Sequence, residues 1–153
     1  MDAAAFDWGY RKPMTSPDPY PVPGEFPDVE QVLVDLLTPI RYTCTTLPSE
    51  KDTFDAAVEA GLIWARRTGG AIDADQLTDH ALVQLSILSH KRRDSQAIAA
   101  QARKAVLGSA GTRVNGVLVD WAEETAGVIE LPDMDPLNRM VHVGFLLYFR
   151  RQF

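Results

Sequence analysis

Ala81-Leu82-Val83-Gln84-Leu85-Ser86-Ile87-Leu88-Ser89-His90 is the stretch that decides the fold class of this chain. Ala81, Val83, Leu85 and Ile87 point one way and Gln84, Ser86 and His90 the other, which is the period of a strand with one buried and one partly polar face. Asp94 to Leu107 follows with a helical period. Its apolar stripe, Ile98, Ala102, Ala105 and Val106, is narrowed by small residues and suits close packing on a sheet. Asp94 or Ser95 is placed to cap this helix and Gly108 to close it. Gly116 to Trp121 reads as a further strand, with Val117, Val119 and Trp121 alternating against Gly116, Leu118 and Asp120. Leu131-Pro132-Asp133-Met134-Asp135-Pro136 makes a proline-bounded acidic turn. Met140 to Arg151 reads as the last strand, with Val141, Val143, Phe145, Leu147 and Phe149 on a single face.

Toward the N-terminus, Asp28 precedes Val29, Val32, Leu33, Leu36 and Leu37, the spacing of a capped amphipathic helix that Pro39 ends. Ile40 to Thr46 reads as a short strand stopped by Leu47-Pro48. Ser49 to Ala60 is polar and then weakly helical through Phe54, Ala57 and Val58, with Gly61 as its stop. Leu62 to Arg67 reads as a strand leading into a tight turn at Gly69-Gly70. The expected fold is α+β: a largely antiparallel sheet of four or five strands with two main helices on one face. Six of the ten prolines lie before Asp28, interleaved with Phe6, Trp8, Tyr10, Tyr20 and Phe26. Residues 1–27 therefore read as an extended, polyproline-like arm, and 28–153 as one domain. Its five rings suit burial against a neighbouring subunit better than a purely solvating tail would.

Composition excludes several classes of function. A net charge of −6 and a pI near 5.0 repel nucleic acid, so specific DNA recognition is not expected. Cys44 is the only cysteine, which leaves no internal disulfide and no cysteine-based zinc cluster, and it reads as a small buried apolar residue. The first residues lack a basic segment followed by an apolar run, so no signal peptide is expected. The longest apolar stretch, Met140 to Phe149, is well short of the ~20 residues of a membrane helix.

Catalytic patterns fail on spacing. His80, His90 and His142 lie on or beside strands and form no zinc-binding helical pair. Gly108-Ser109-Ala110-Gly111 is not a nucleophile elbow, and no phosphate-binding glycine loop is present. Asp133 and Asp135 read as turn acids between Pro132 and Pro136. No catalytic, cofactor or metal residues are assigned. A small α+β enzyme would require a pocket gathering His80, His90 and Asp120.

The order of elements resembles the tail terminator proteins of long-tailed, siphovirus-type bacteriophages, especially those infecting actinobacteria. The resemblance rests on Asp28-Val29-Glu30 opening a helix, Leu47-Pro48 after a strand, and Arg67-Thr68-Gly69-Gly70 after the next. Leu77-Thr78-Asp79-His80-Ala81 then leads into a long strand, Ala97 to Val106 is an alanine-rich helix, and Pro132 to Pro136 precedes a final strand with Arg139, Arg150 and Arg151. Ser49 to Gly61 is longer than the family's usual link, and the proline-aromatic arm has no counterpart.

That resemblance implies a structural virion protein of the neck, made in the host cytoplasm. It implies a homo-hexameric ring on the head-proximal end of the tail tube, which ends tube polymerisation and offers a joining surface to head-completion or connector proteins. Genomic DNA would pass through the lumen without specific binding, and neither a cofactor nor a membrane is involved. The neighbouring reading is another neck component, such as a head-closure or connector protein. Phe6, Trp8, Tyr10 and Tyr20 of the arm, Lys91, Arg92 and Arg93, and Arg66 and Arg67 are the expected protein-interface residues. If Leu62 to Arg67 is a strand, Arg66 and Arg67 point to opposite faces, and only one of them lies over the core.

Overall fold

The computed structural model describes residues 22–130 and 140–152. The aromatic residues of the arm from Phe6 to Tyr20 and the acidic turn from Pro132 to Pro136 lie outside the described residues. The fold is α+β. Its helices are α1 (Val29–Leu37), α2 (Lys51–Ala60) and α3 (Arg92–Gly108), and its main strands are β1 (Tyr42–Cys44), β2 (Leu62–Ile72), β3 (Thr78–Leu88), β6 (Trp121–Glu130) and β7 (Val141–Arg150). A small hairpin of β4 (Arg113–Val114) and β5 (Val117–Leu118) lies between α3 and β6. The five main strands form one sheet in the order β1-β2-β3-β7-β6, antiparallel throughout except for β1 beside β2.

The two strands with the clearest alternation, β3 and β7, sit at the centre. Val83 pairs with Phe145, Leu85 with Val143 and Ala81 with Leu147, so the apolar sets read from the sequence share one face. All of them are buried. Helices α1 and α3 cover that face. Val32, Leu33 and Leu37 of α1 and Ile98, Ala99, Ala102 and Val106 of α3 join the same core. The alanines let α3 approach the sheet closely. Asp28 caps α1 through the main-chain N–H groups of Glu30, at 3.0 Å, and Gln31.

Helix α2 goes to the opposite face, where Val58 packs with Cys44, Leu62 and Leu88 over one end of the sheet. Gly61, at φ 91°, ends it as the sequence indicates. Burial raises the pKa of the Cys44 thiol, as suits an inert packing residue.

Three local expectations fail for identifiable reasons. Gly69-Gly70 is not the turn: β2 runs through both glycines to Ile72, and a bulge between Arg67 and Gly69 shifts its register. Gly70, at φ 87°, is needed for close approach, because a Cβ there would strike the His80 carbonyl oxygen. The real turn is built by Asp73, whose carboxylate accepts the N–H groups of Leu77 and Thr78.

Gly116 to Trp121 is not one strand. Asn115 and Gly116, at φ 46° and 85°, form the two-residue turn of the β4–β5 hairpin, the geometry that an Asn-Gly pair favours. The long strand β6 that follows, including Ala122-Glu123-Glu124-Thr125-Ala126-Gly127, carries no alternating apolar signal. It is an edge strand with two register shifts, so little of it needs to be apolar. Finally, α3 starts at Arg92 after Lys91, without a side-chain cap. Ser95, expected as a cap, is buried instead and bonds Ser89 at 2.8 Å.

Residues just before α1 are fastened to the end of β7. The Gly24 N–H donates to the Gln152 carbonyl at 2.6 Å, and the Gln152 N–H donates to the Glu25 carbonyl at 2.9 Å. The Arg151 guanidinium lies 4.5 Å over the Phe26 ring.

Candidate functional site

The strand period buries one face of the sheet; among the described residues the other face is covered by α2 at one end only. The uncovered part is polar in a specific way. Trp64 and Arg66 of β2, Gln84 and Ser86 of β3 and His142 of β7 stand side by side on it, because Arg66 pairs with Gln84, and Ser86 with both Trp64 and His142. The Arg66 guanidinium stacks 3.7 Å over the Trp64 ring. Its Nη2 donates to Gln84 Oε1 at 3.1 Å and to Ser86 Oγ at 2.8 Å.

Ser86 Oγ lies 2.7 Å from His142 Nδ1. Since the serine oxygen accepts from Arg66, its proton is free to point at His142, which favours an imidazole protonated on Nε2. The neutral ring follows from the surroundings. Burial, and then the nearby Arg66 charge, lower the His142 pKa. The pKa of Arg66 itself is lowered by burial. Its Nε is enclosed and has no acceptor, and no ion pair joins Arg66 to a carboxylate among the described residues.

Beside this network a groove of about 250 Å³ runs between Thr68, Leu82, Gln84, Thr125, Ala126 and His142, floored by Gly144. A Cβ there would sit 3.0 Å from Thr125 Oγ1, so a larger residue would need that side chain to shift. Toward the β6 edge, Trp121 is 54 % exposed and Tyr148 reaches Glu123 at 3.5 Å. A second depression, of about 550 Å³, lies at the far end of the sheet between Leu77, Leu118, Arg113, Arg150 and Arg151. Leu77 is 62 % exposed. Arg150 is already held by the Asp120 carboxylate, with the shortest contact at 2.9 Å.

The interface residues read from the sequence are not brought together. Arg66 lies on the open face. Arg67 turns to the helix side, where its Nη1 and Nη2 hold both oxygens of the buried Asp79 at 2.8 Å. Its main-chain N–H donates to Glu30 of α1 at 2.9 Å. Arg67 is therefore a tie between β2, β3 and α1 and not a free contact. Lys91, Arg92 and Arg93 are exposed at the start of α3. Phe6, Trp8, Tyr10 and Tyr20 are outside the described residues.

The residues gathered around Arg66 carried only a partial sequence signal. Gln84 and Ser86 are the polar half of an alternating strand, but their partners Trp64 and His142 come from strands whose register no local pattern specifies. His80 stacks with Tyr148 at 4.6 Å near the start of β3, His90 follows its far end, and Asp120 holds Arg150. At about 3.4 Å per residue, roughly 30 Å separates the two histidines. Among the described residues no group of three or more His, Cys, Asp or Glu side chains is placed to hold a metal. No helix of the described residues is long and apolar enough to cross a membrane.

Residues 25–153 match the profile of a protein family described as phage tail termination protein. No curated protein matches the chain. Among solved structures, a chain described under "Virion of native gene transfer agent (GTA) particle" is similar with a TM-score of 0.51 and 13% sequence identity, over 78% of this chain and 84% of that one. At that identity the likeness concerns the fold.

Proposed function

Because the chain belongs to the phage tail termination protein family, a structural and non-catalytic one, we propose that it works as a homo-hexameric ring on the head-proximal end of a tail tube. The ring ends polymerisation of the tube protein and gives head-completion or connector proteins a surface to join. The observation that carries this reading is the family match from residue 25 to residue 153, which takes in every element of the fold. A fold shared with a chain of a gene transfer agent virion supports a place in a virion, with synthesis in the host cytoplasm.

The physical features suit the role. A ring of this kind is closed by a heterologous contact, in which two different surfaces of one chain meet. The open sheet face around Arg66 supplies one polar surface of that type, and the exposed basic start of α3 at Lys91, Arg92 and Arg93 contacts a connector. Six acidic copies line a lumen that DNA crosses without sticking. The arm, with Phe6, Trp8, Tyr10 and Tyr20 on a proline-stiffened backbone, docks on a neighbouring subunit or the adjoining ring, since proline lowers the entropy lost on binding.

Deleting the protein from its virus tests the role. Tails of uncontrolled length and heads that fail to join tails are expected. Tails of normal length that join heads normally would rule it out.

A further inference from the structure

Resting on the ring reading, we propose that Arg66 receives a carboxylate from a second copy of this chain, supplied by the exposed acidic strip of α2, Asp52, Asp55 and Glu59.

One half of the contact is the arginine. The uncovered sheet face holds Arg66 in a fixed pose, stacked on Trp64 at 3.7 Å and bonded to Gln84 and Ser86. Among the described residues its charge has no counter-ion. The neighbouring imidazole of His142 is held neutral, and the guanidinium Nε is enclosed without an acceptor. A pre-oriented guanidinium without an acid is an incomplete site: Nη2 spends its hydrogens on Gln84 and Ser86, which leaves Nη1 to donate to an incoming carboxylate. Around it, Leu82 and the groove floored by Gly144 supply apolar area and depth for a protein element.

The other half follows from where the chain's acids are spent. Glu30, Asp35, Asp79, Asp120 and Glu124 each already hold a group from another element. Of the acids left exposed, Asp75 and Asp94 stand singly, in a turn and beside Arg92 and Arg93, whereas helix α2 gathers three. Asp52, Asp55 and Glu59, spaced by three and four residues, form one exposed strip, away from the Phe54, Ala57 and Val58 side that packs on the sheet. Asp55 bonds only Lys51 of its own helix, at 2.7 Å. The Arg66 cluster and the outer side of α2 are separate surfaces of one subunit, as a head-to-tail ring contact needs. In the ring, α2 of each copy extends over the part of the next sheet that its own α2 leaves bare.

The test is a charge-reversal cycle on the full-length protein, read by native mass and sedimentation across concentration, alone and with polymerised tail tube protein. Arg66→Glu should raise the concentration for half-assembly at least roughly tenfold, and Arg66→Gln should act in the same direction. Asp52→Lys with Glu59→Lys should weaken assembly alone and restore it when combined with Arg66→Glu. The α2 changes lie on a solvated surface, and the unfolding midpoint of every variant identifies any that fails to fold. Rings that form at the wild-type concentration despite Arg66→Glu and Arg66→Gln, or no rescue by the reversed α2 charges, would overturn the pairing and leave the ring reading intact. A wild-type protein that stays monomeric both alone and beside tubes would overturn both.

Discussion

Adjacent arginines on β2 should respond in opposite ways to the same substitution. Arg67→Glu places a carboxylate against Asp79, whose side chain is 5% exposed, and beside Glu30, which bonds the main chain at that position. Removing one partner of a buried ion pair costs about 3–5 kcal/mol. The Arg67 side chain is 32% exposed, so solvent screens part of the loss and about 3 kcal/mol is the better figure. For a domain of this size each kcal/mol moves the midpoint by roughly 4 °C, so a fall of about 12 °C is expected. Arg66→Glu gives up two hydrogen bonds and the stacking on Trp64 at a water-facing site, about 1 kcal/mol or ~4 °C. Thermal unfolding followed by circular dichroism, with the mass of each variant measured below its midpoint, separates the two effects. Arg67→Glu should melt early, and Arg66→Glu should stay folded while failing to assemble. Equal midpoints for the two variants would refute the assignment of Arg67 to the core side.

Phe145, fully buried at the centre of the sheet, should lose about 3–5 kcal/mol on Phe145→Ala, and Phe145→Asp should leave no soluble folded protein; an unchanged midpoint in denaturant would place β7 at the periphery. His142 has a folded pKa below its ordinary value of 6.5, so the unfolded chain binds the proton first and stability drains away as pH falls below about 6.5. His142→Gln should make that decline shallower between pH 7 and 5, as read from midpoints at each pH; curves of identical slope would show that the ring is not buried from protons. Removing residues 1–21, while keeping the Gly24 and Glu25 contacts to Gln152, should spare the midpoint and raise the concentration needed for assembly or weaken head joining; assembly and infectivity equal to full length would make those residues a solvating tail.

What could be read in advance was whatever one strand or helix declares by itself. The alternation of Ala81 to Ile87 and of Val141 to Phe149, the stripe of Val29 to Leu37, and the small-residue face of α3 each name the side they bury, and those sides meet in one core. Features that depend on a partner strand were not legible. The run through Gly69-Gly70 is extended because β3 lies close enough to exclude a Cβ, and an isolated Gly-Gly pair reads as a turn. Strand β6 is an edge that buries little, so its Glu-rich sequence carries no period. The Asn115-Gly116 turn was legible by its chemistry, but the apolar alternation of Val117 and Val119 pointed to one longer strand instead.

The candidate site divides along the same line. That Arg66 and Arg67 face opposite ways follows from strand geometry alone. Which of them meets an acid depends on Asp79 standing on the neighbouring strand. Trp64 and His142 enter the Arg66 network only through register, which no local motif encodes.

A chain that stops a tube from growing should do so in a purified mixture. Purified protein added to polymerising tail tube protein, with tube lengths measured by electron microscopy, tests it most directly. Tubes whose length falls as the protein is increased, each carrying one ring at one end, are expected. Tubes that reach the same lengths at every ratio, with bare ends, would contradict it.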